Sequence, residues 1–395
     1  MLSKPTLFLI LAPLTKAAQD VVELDAVKVE GRGSLLVGEA LSASQGVIGQ
    51  IDLQTRPMLR TGEVLEAVPG MIVTQHSGTG KANQYFLRGF NLDHGTDFAT
   101  WIDGMPVNMV SHGQGYTDLN FIIPELVDNI SYLKGSCYSE VGDLSSAGSA
   151  SIQTMRELEN DMISVDYGED GYLRAFGATS QSVGEDGTLL FGAENVVNNG
   201  PWDIDENLNK INGLVTYSAT PTKDLEYGVT LMAYNSSWDS ADQIPDRAVE
   251  QGLITPFGSI DDTVGGSSSR YSLSGHLTKN GVEQTTKLSA YTIYYDMAIW
   301  SNFTYFLDNP VGGDQFQQSD RRMIYGAELA HLFGYHMQQT FGLQTRYDAV
   351  DKVGLYNTQA RQILSANRED SGGIEDKHYQ IIQPRSLRLN VTKLF

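Results

Sequence analysis

From about residue 160 onward, apolar and polar positions alternate with period two. Leu225, Tyr227, Val229, Leu231 and Ala233 alternate with Glu226, Gly228, Thr230 and Met232. Tyr271, Leu273, Gly275 and Leu277 alternate with Ser272, Ser274, His276 and Thr278. Phe341, Leu343, Thr345 and Tyr347 alternate with Thr340, Gly342, Gln344 and Arg346. Successive strand residues point to opposite sides, so each segment has one apolar and one polar face. The pattern predicts about ten strands, near 161–167, 172–182, 188–197, 210–219, 225–236, 270–279, 283–295, 321–333, 337–349 and 380–395. The apolar face is rich in aromatics, and the polar face is too wet for a sandwich core.

The gaps between strands alternate as well. Short turns fall near 183–187, 220–224, 279–282 and 334–336. Long segments fall near 198–208, 237–269, 296–320 and 350–378. Such a meander has two unlike ends, as outer-membrane barrels do. Strands of about 9–12 residues suit a tilted bilayer crossing. A large soluble all-β domain is the alternative that this region alone leaves open.

The beginning of the chain has another texture. Lys4, the apolar run Thr6–Leu14 and the small residues Thr15 and Ala17 read as an export signal over residues 1–17. No other apolar run is long enough for a membrane-spanning helix. Across 38–155 the elements are short and glycines frequent. Thr61 caps a predicted helix that Pro69-Gly70 ends, and Met71–Val73 reads as a strand. Asp103-Gly104 favours a tight turn between Phe98–Ile102 and Met105–Met109. Pro124 opens a second short helix, Ile130–Leu133 is a strand that Gly135 ends, and Ser151–Thr154 closes a compact α+β unit.

The segments GEVLEAVPGMIV, QYFLRGFN, WIDGMPVN, DLNFIIPELVDNISYLKGS and SAGSASIQT follow one another in this unit. Their order and spacing resemble the plug domain of TonB-dependent outer-membrane receptors. Similarity to such receptors runs from about residue 20 to about residue 370. Two departures stand out: Ala147-Gly148-Ser149-Ala150 replaces a glycine pair, and Cys137-Tyr138 stands where a small residue and a tyrosine are common. LDAVKVEG is similar to the TonB box, which implies that Leu24, Asp25, Ala26, Val27, Lys28 and Val29 add as an extended strand to a periplasmic partner. The plain alternative is a linker.

The resemblance implies a mainly β protein with four parts. These are a signal peptide (1–17), a TonB-box segment and linker (18–37), an α+β plug (38–155) and antiparallel transmembrane barrel strands (156–395). Family members have 22 strands, and a folded plug does not fit inside ten. An open sheet would leave unpaired edges in lipid. The chain therefore reads as the N-terminal half of a receptor, from a shortened reading frame or, less simply, a two-chain assembly. The alternating Leu387, Leu389, Val391 and terminal Phe395 suit a barrel end, whereas Lys393 stands where an aromatic is expected.

Charge and chemistry narrow the function. A net charge of −21 argues against nucleic-acid binding. Many carboxylates fall where loops are expected, among them Asp203, Asp205, Glu206, Asp246, Asp261 and Asp262, and solubility accounts for most of them. The single cysteine, Cys137, excludes an intramolecular disulfide and a cysteine zinc cage. SGTGKAN lacks the spacing of a phosphate loop, no nucleophile elbow is present, and no cofactor is implied.

His76, His94 and His112 lie in predicted plug loops beside Asp93 and Asp97. They suit a metal or metal chelate, or are surface polar residues. With Tyr116, Trp202, Asp239 and Asp242 they are the candidate ligand contacts at an outward plug apex. Pro69, Gly70, Arg88, Gly89, Asp103, Gly104, Lys134 and Gly135 carry the family's structural motifs. Arg88 is expected to pair with a buried carboxylate.

The implied function is active uptake of a scarce nutrient, most simply a ferric siderophore. The implied partners are the inner-membrane TonB complex, an extracellular ligand and outer-membrane lipid, with the receptor a monomer in the outer membrane. Another metal chelate, cobalamin or an oligosaccharide is an alternative ligand. A plug-type fragment that binds without transport is an alternative function, and a secreted hydrolase has little support.

Overall fold

The computed structural model describes residues 39–370 and 386–393, apart from 55, 57, 59, 76–77, 112–113, 137–140, 240–241 and 335–338. The predicted signal peptide and the TonB-box residues Leu24 to Val29 lie outside the described residues.

The first part is an inner domain of short elements. In chain order these are β1 (Glu39–Ser42), β2 (Gln45–Gly49), α1 (Gln50–Gln54), β3 (Met71–Thr74), β4 (Gln84–Leu87), β5 (Phe90–Asn91) and β6 (Phe98–Ile102). There follow β7 (Met105–Pro106), β8 (Met109–Val110), β9 (Gln114–Tyr116), β10 (Val127–Lys134) and β11 (Gly148–Thr154). Six of these strands form a sheet ordered β1-β2-β10-β11-β6-β7. Both predicted helices are single 3-10 stretches, Thr61–Ala67 and Pro124–Leu126. Thr61 is the first helical residue and not the cap. Arg60 holds that place, and Glu63 accepts its backbone N–H at 3.2 Å.

Several structural residues of the sequence motifs meet here. Lys134, buried at the end of β10, donates to the Pro69 carbonyl at 3.3 Å and lies 5.2 Å from the Tyr132 ring centroid. Burial, then the charge of Arg88, lowers its pKa. Asp103 and Gly104 both take positive φ, as the tight β6–β7 turn requires. The Asp103 carboxylate accepts from the Thr154 N–H (2.9 Å) and hydroxyl (2.7 Å), which ties the turn to the last strand. Gly70, Gly89 and Gly135 also turn the chain at positive φ. Arg88 corrects the expectation: it is exposed, and it donates to the Ala43 carbonyl at 2.8 Å rather than to a buried carboxylate.

Eleven further strands make one antiparallel sheet, the wall. They are β12 (Met162–Tyr167), β13 (Leu173–Val183), β14 (Gly187–Asn198), β15 (Leu208–Thr222) and β16 (Leu225–Asp239). After α2 (Asp246–Glu250) come β17 (Gly265–Gly281), β18 (Gln284–Ser301), β19 (Phe316–Phe333), β20 (Gln339–Gln359), β21 (Gln362–Asp370) and β22 (Ser386–Lys393). Neighbours in sequence pair from β12 to β21, and β22 pairs with the start of β20. Among the described residues β12 pairs only with β13.

The wall's faces are inverted relative to a soluble protein. Ile163, Val165, Phe191, Val229, Leu231, Tyr271, Leu273 and Phe341 are exposed on the side away from the inner domain. Thr216, Thr230, Ser272, Ser274, Arg270 and Arg322 are buried on the side that faces it. Such an apolar outer band fits lipid and does not fit a soluble all-β domain. No described helix is long and apolar enough to cross a membrane.

Two expectations are corrected. Most wall strands exceed 9–12 residues; β18 and β19 have 18 each and β20 has 21. Their added length lies at the long-loop end, which reduces the three expected long segments to 199–207, 240–264 and 302–315. The fourth, 350–378, is largely not a loop: β20 continues to Gln359 and returns through Ala360-Arg361 as β21. Backbone pairing on both sides of Val353–Asn357 sustains a strand where the side chains alone suggest a loop.

Candidate functional site

At the long-loop end, a cavity of about 610 Å³ lies between the inner domain and β13–β15. The inner domain contributes Arg60, Thr61 and the segment Gly78–Lys81; the wall contributes Tyr172, Arg174, Glu194, Trp202, Glu206 and Lys210. The volume is within the range of small-molecule sites.

The segment Thr79-Gly80-Lys81 is held from both sides. Glu206 accepts from the Thr79 N–H (3.0 Å) and hydroxyl (3.1 Å) and from the Trp202 indole (2.9 Å). Burial raises the Glu206 pKa despite these donors. Lys81 reaches Asp242 at 3.3 Å. Gly80 between them has φ +82, and a Cβ there would stand 2.2 Å from the Trp238 ring. Only glycine combines that backbone with that approach.

The cavity's cations are paired. Arg174 donates to both Glu125 oxygens (2.8 and 2.7 Å) and to Glu194 (2.6 Å). Lys210 reaches Glu194 at 3.0 Å and the Thr61 hydroxyl at 3.4 Å. Asn212 donates to Glu194 (3.0 Å) and to the Asn120 carbonyl (2.9 Å), so wall and inner domain share one network.

The predicted contacts separate. Trp202 lines the cavity, its ring 6.2 Å from Phe257. Asp242 acts through Lys81 and also accepts from the Asn302 N–H at 3.3 Å. Asp239 pairs with Arg361 at 2.5 Å and accepts from Asn207 at 3.1 Å, away from the cavity lining.

Tyr116 is fully buried inside the inner domain and is not a surface contact; its hydroxyl accepts the Ala82 N–H at 3.0 Å. Burial and the Asp118 charge push its pKa well up. His94 is half-buried, bonds the Ala82 carbonyl through Nδ1 at 3.1 Å and sits 5.7 Å from the Tyr116 ring. Asp97 accepts from Ser146. His76 and His112 lie outside the described residues. Among the described residues no group of three His, Cys, Asp or Glu side chains could hold a metal ion.

The sequence motifs passed over several of these groups. Arg174, Glu194 and Lys210 occupy the inward phase of otherwise alternating strands, which was the available signal. Asn108 gave none, because a buried amide looks like any polar loop residue. Its amide nitrogen, with two N–H donors, lies 2.9–3.2 Å from the carbonyls of Gly95, Phe98 and Gly115 and from the Thr117 hydroxyl, and its oxygen accepts the Thr100 N–H at 2.6 Å.

Three wall arginines then grip alternate carbonyls of that same segment: Arg270 on Pro106 (3.2 Å), Arg346 on Asn108 (3.0 Å) and Arg322 on Val110 (2.8 Å). Arg322 is itself balanced by Asp320 and Asp348. Asp118 is buried beside them, 3.5 Å from the Tyr295 hydroxyl, and desolvation raises its pKa.

Residues 38–149 match the TonB-dependent Receptor Plug Domain model. In fold the chain resembles the ferric citrate transporter FecA in its unliganded form (13% identity, TM-score 0.66, covering 84% of this chain and 50% of that one). It also resembles the copper transporter OprC (17%, 0.62, 82% and 49%). A third match is the ferric yersiniabactin uptake receptor FyuA from Yersinia pestis (14%, 0.61, 85% and 51%). At these identities the likeness shows the fold, and the chain spans about half the length of these receptors.

Proposed function

From a chain that carries the plug domain of TonB-dependent receptors, with wall strands of the same receptor fold behind it, we propose active uptake of a metal chelate across the outer membrane. A ferric siderophore is the simplest such solute. The observation that carries this reading is the cavity at the long-loop end, set where the plug segment 78–81 meets the wall.

The solute enters between the long loops and that segment. Trp202 and Tyr172 offer aromatic faces, and the Arg174–Glu194–Lys210 network keeps the floor rigid. Leu24 to Val29 then engage the TonB complex, whose pull shifts the plug. No bond of the solute is made or broken. The protein works in the outer membrane, with its apolar outer band in lipid.

The test uses the whole chain expressed in a two-membrane bacterium. Membrane fractionation should place it in the outer membrane. Uptake of a radiolabelled ferric chelate should disappear when residues 24–31 are deleted, with binding retained. Uptake that survives the deletion would refute energy coupling through that segment.

A further inference from the structure

The sign of charge on the loops of the cavity's end of the molecule narrows the solute, on the reading just given that it is a metal chelate. Loops 168–172, 199–207, 240–264 and 302–315 contain twelve Asp and Glu residues against one base, Arg247. Asp205, Asp246 and Asp262 are exposed. Such a rim repels anions over about 8 Å at physiological salt.

Inside, each of the four cationic side chains that line the cavity already faces a carboxylate. Arg60 lies 4.0 Å from Glu63, Lys81 3.3 Å from Asp242, Arg174 2.7 Å from Glu125 and Lys210 3.0 Å from Glu194. An anionic chelate would therefore displace an existing pair in order to be neutralised. What else the cavity offers is the exposed Glu169 carboxylate and neutral groups. The Ser236 hydroxyl, 1% exposed, also lines it, and the Trp202 and Tyr172 rings present π faces that favour cations.

We propose that the solute of this cavity is a metal chelate without net negative charge, selected by the acidic rim and by a lining whose cations are internally neutralised. The purified full chain in detergent tests this by titration of its tryptophan fluorescence with two chelates. One is a singly cationic ferric tris-hydroxamate, the other a triply anionic ferric tris-catecholate.

The cationic chelate should bind at least about tenfold more tightly, a difference of about 1.4 kcal/mol. Loss of its quench in Trp202→Phe would place it in the cavity. The margin should shrink at high salt, and also in Asp205→Asn/Asp246→Asn/Asp262→Asn, whose circular dichroism should match the parent. Equal or tighter binding of the catecholate overturns the charge assignment and leaves the receptor reading standing. Binding of neither chelate overturns both, and a margin untouched in the triple variant overturns selection by the rim.

Discussion

Two zones of contact between plug and wall use similar residues to opposite effect. On the β13–β15 side the charged groups meet in a few fixed pairs and leave a hollow. On the β17–β20 side three guanidiniums cross to plug carbonyls, and Ile293, Tyr295 and Ile324 are buried among them. A guanidinium on a backbone carbonyl stands in for the neighbouring strand that edge strand β7 lacks. Both zones thus join plug to wall through cations, and the acceptor differs: backbone carbonyls of the plug in one zone, carboxylates bordering the hollow in the other.

The largest effect is expected in the filled zone. Arg322→Ala strands the buried Asp320 without its cation, leaves Asp348 to Arg346 alone and frees the Val110 carbonyl. It should cost about 3–5 kcal/mol, seen as a lower denaturation midpoint of the purified chain. An unchanged midpoint would mean that the arginines follow the plug rather than hold it.

An intermediate effect is expected at the border of the hollow. Gly80→Ala places a methyl into the Trp238 ring at positive φ, and should cost about 1–3 kcal/mol with a shifted indole emission. The smallest is expected at Glu206. Its pKa is raised in the folded state, so its contribution is full at low pH and falls as pH rises through that raised value. Glu206→Gln should flatten this, with parent and variant alike in acid and the parent relatively weaker by about 1 kcal/mol above it. Midpoints measured across pH would show whether the two curves separate.

The faces of the wall were legible in the sequence because period two is rigid. Leu231 and Leu273 face out, and Ser272 and Ser274 face in, as their phase requires. The long-loop ends of the strands were not legible. Asp351, Lys352, Gly354 and Asn357 have loop character, and what makes their segment a strand is pairing with β19 and β21, which no local pattern records.

The cavity was legible only in part. Trp202 stood out as an aromatic in an acidic loop. His94 and Tyr116 look equally ligand-like, yet they bond the Ala82 backbone in the interior of the plug. Residue type announces chemistry, whereas the depth of a side chain is settled by segments far along the chain.

The strand order of the plug sheet has a mechanical consequence. The described chain enters through β1 at one margin, and the arginine-held strand β7 forms the opposite margin. A load on the N-terminus therefore peels β1 from β2 first, rung by rung. The guanidinium rivets beyond β6 are the last to feel the tension, so the plug can yield along one seam while it stays fastened along the other.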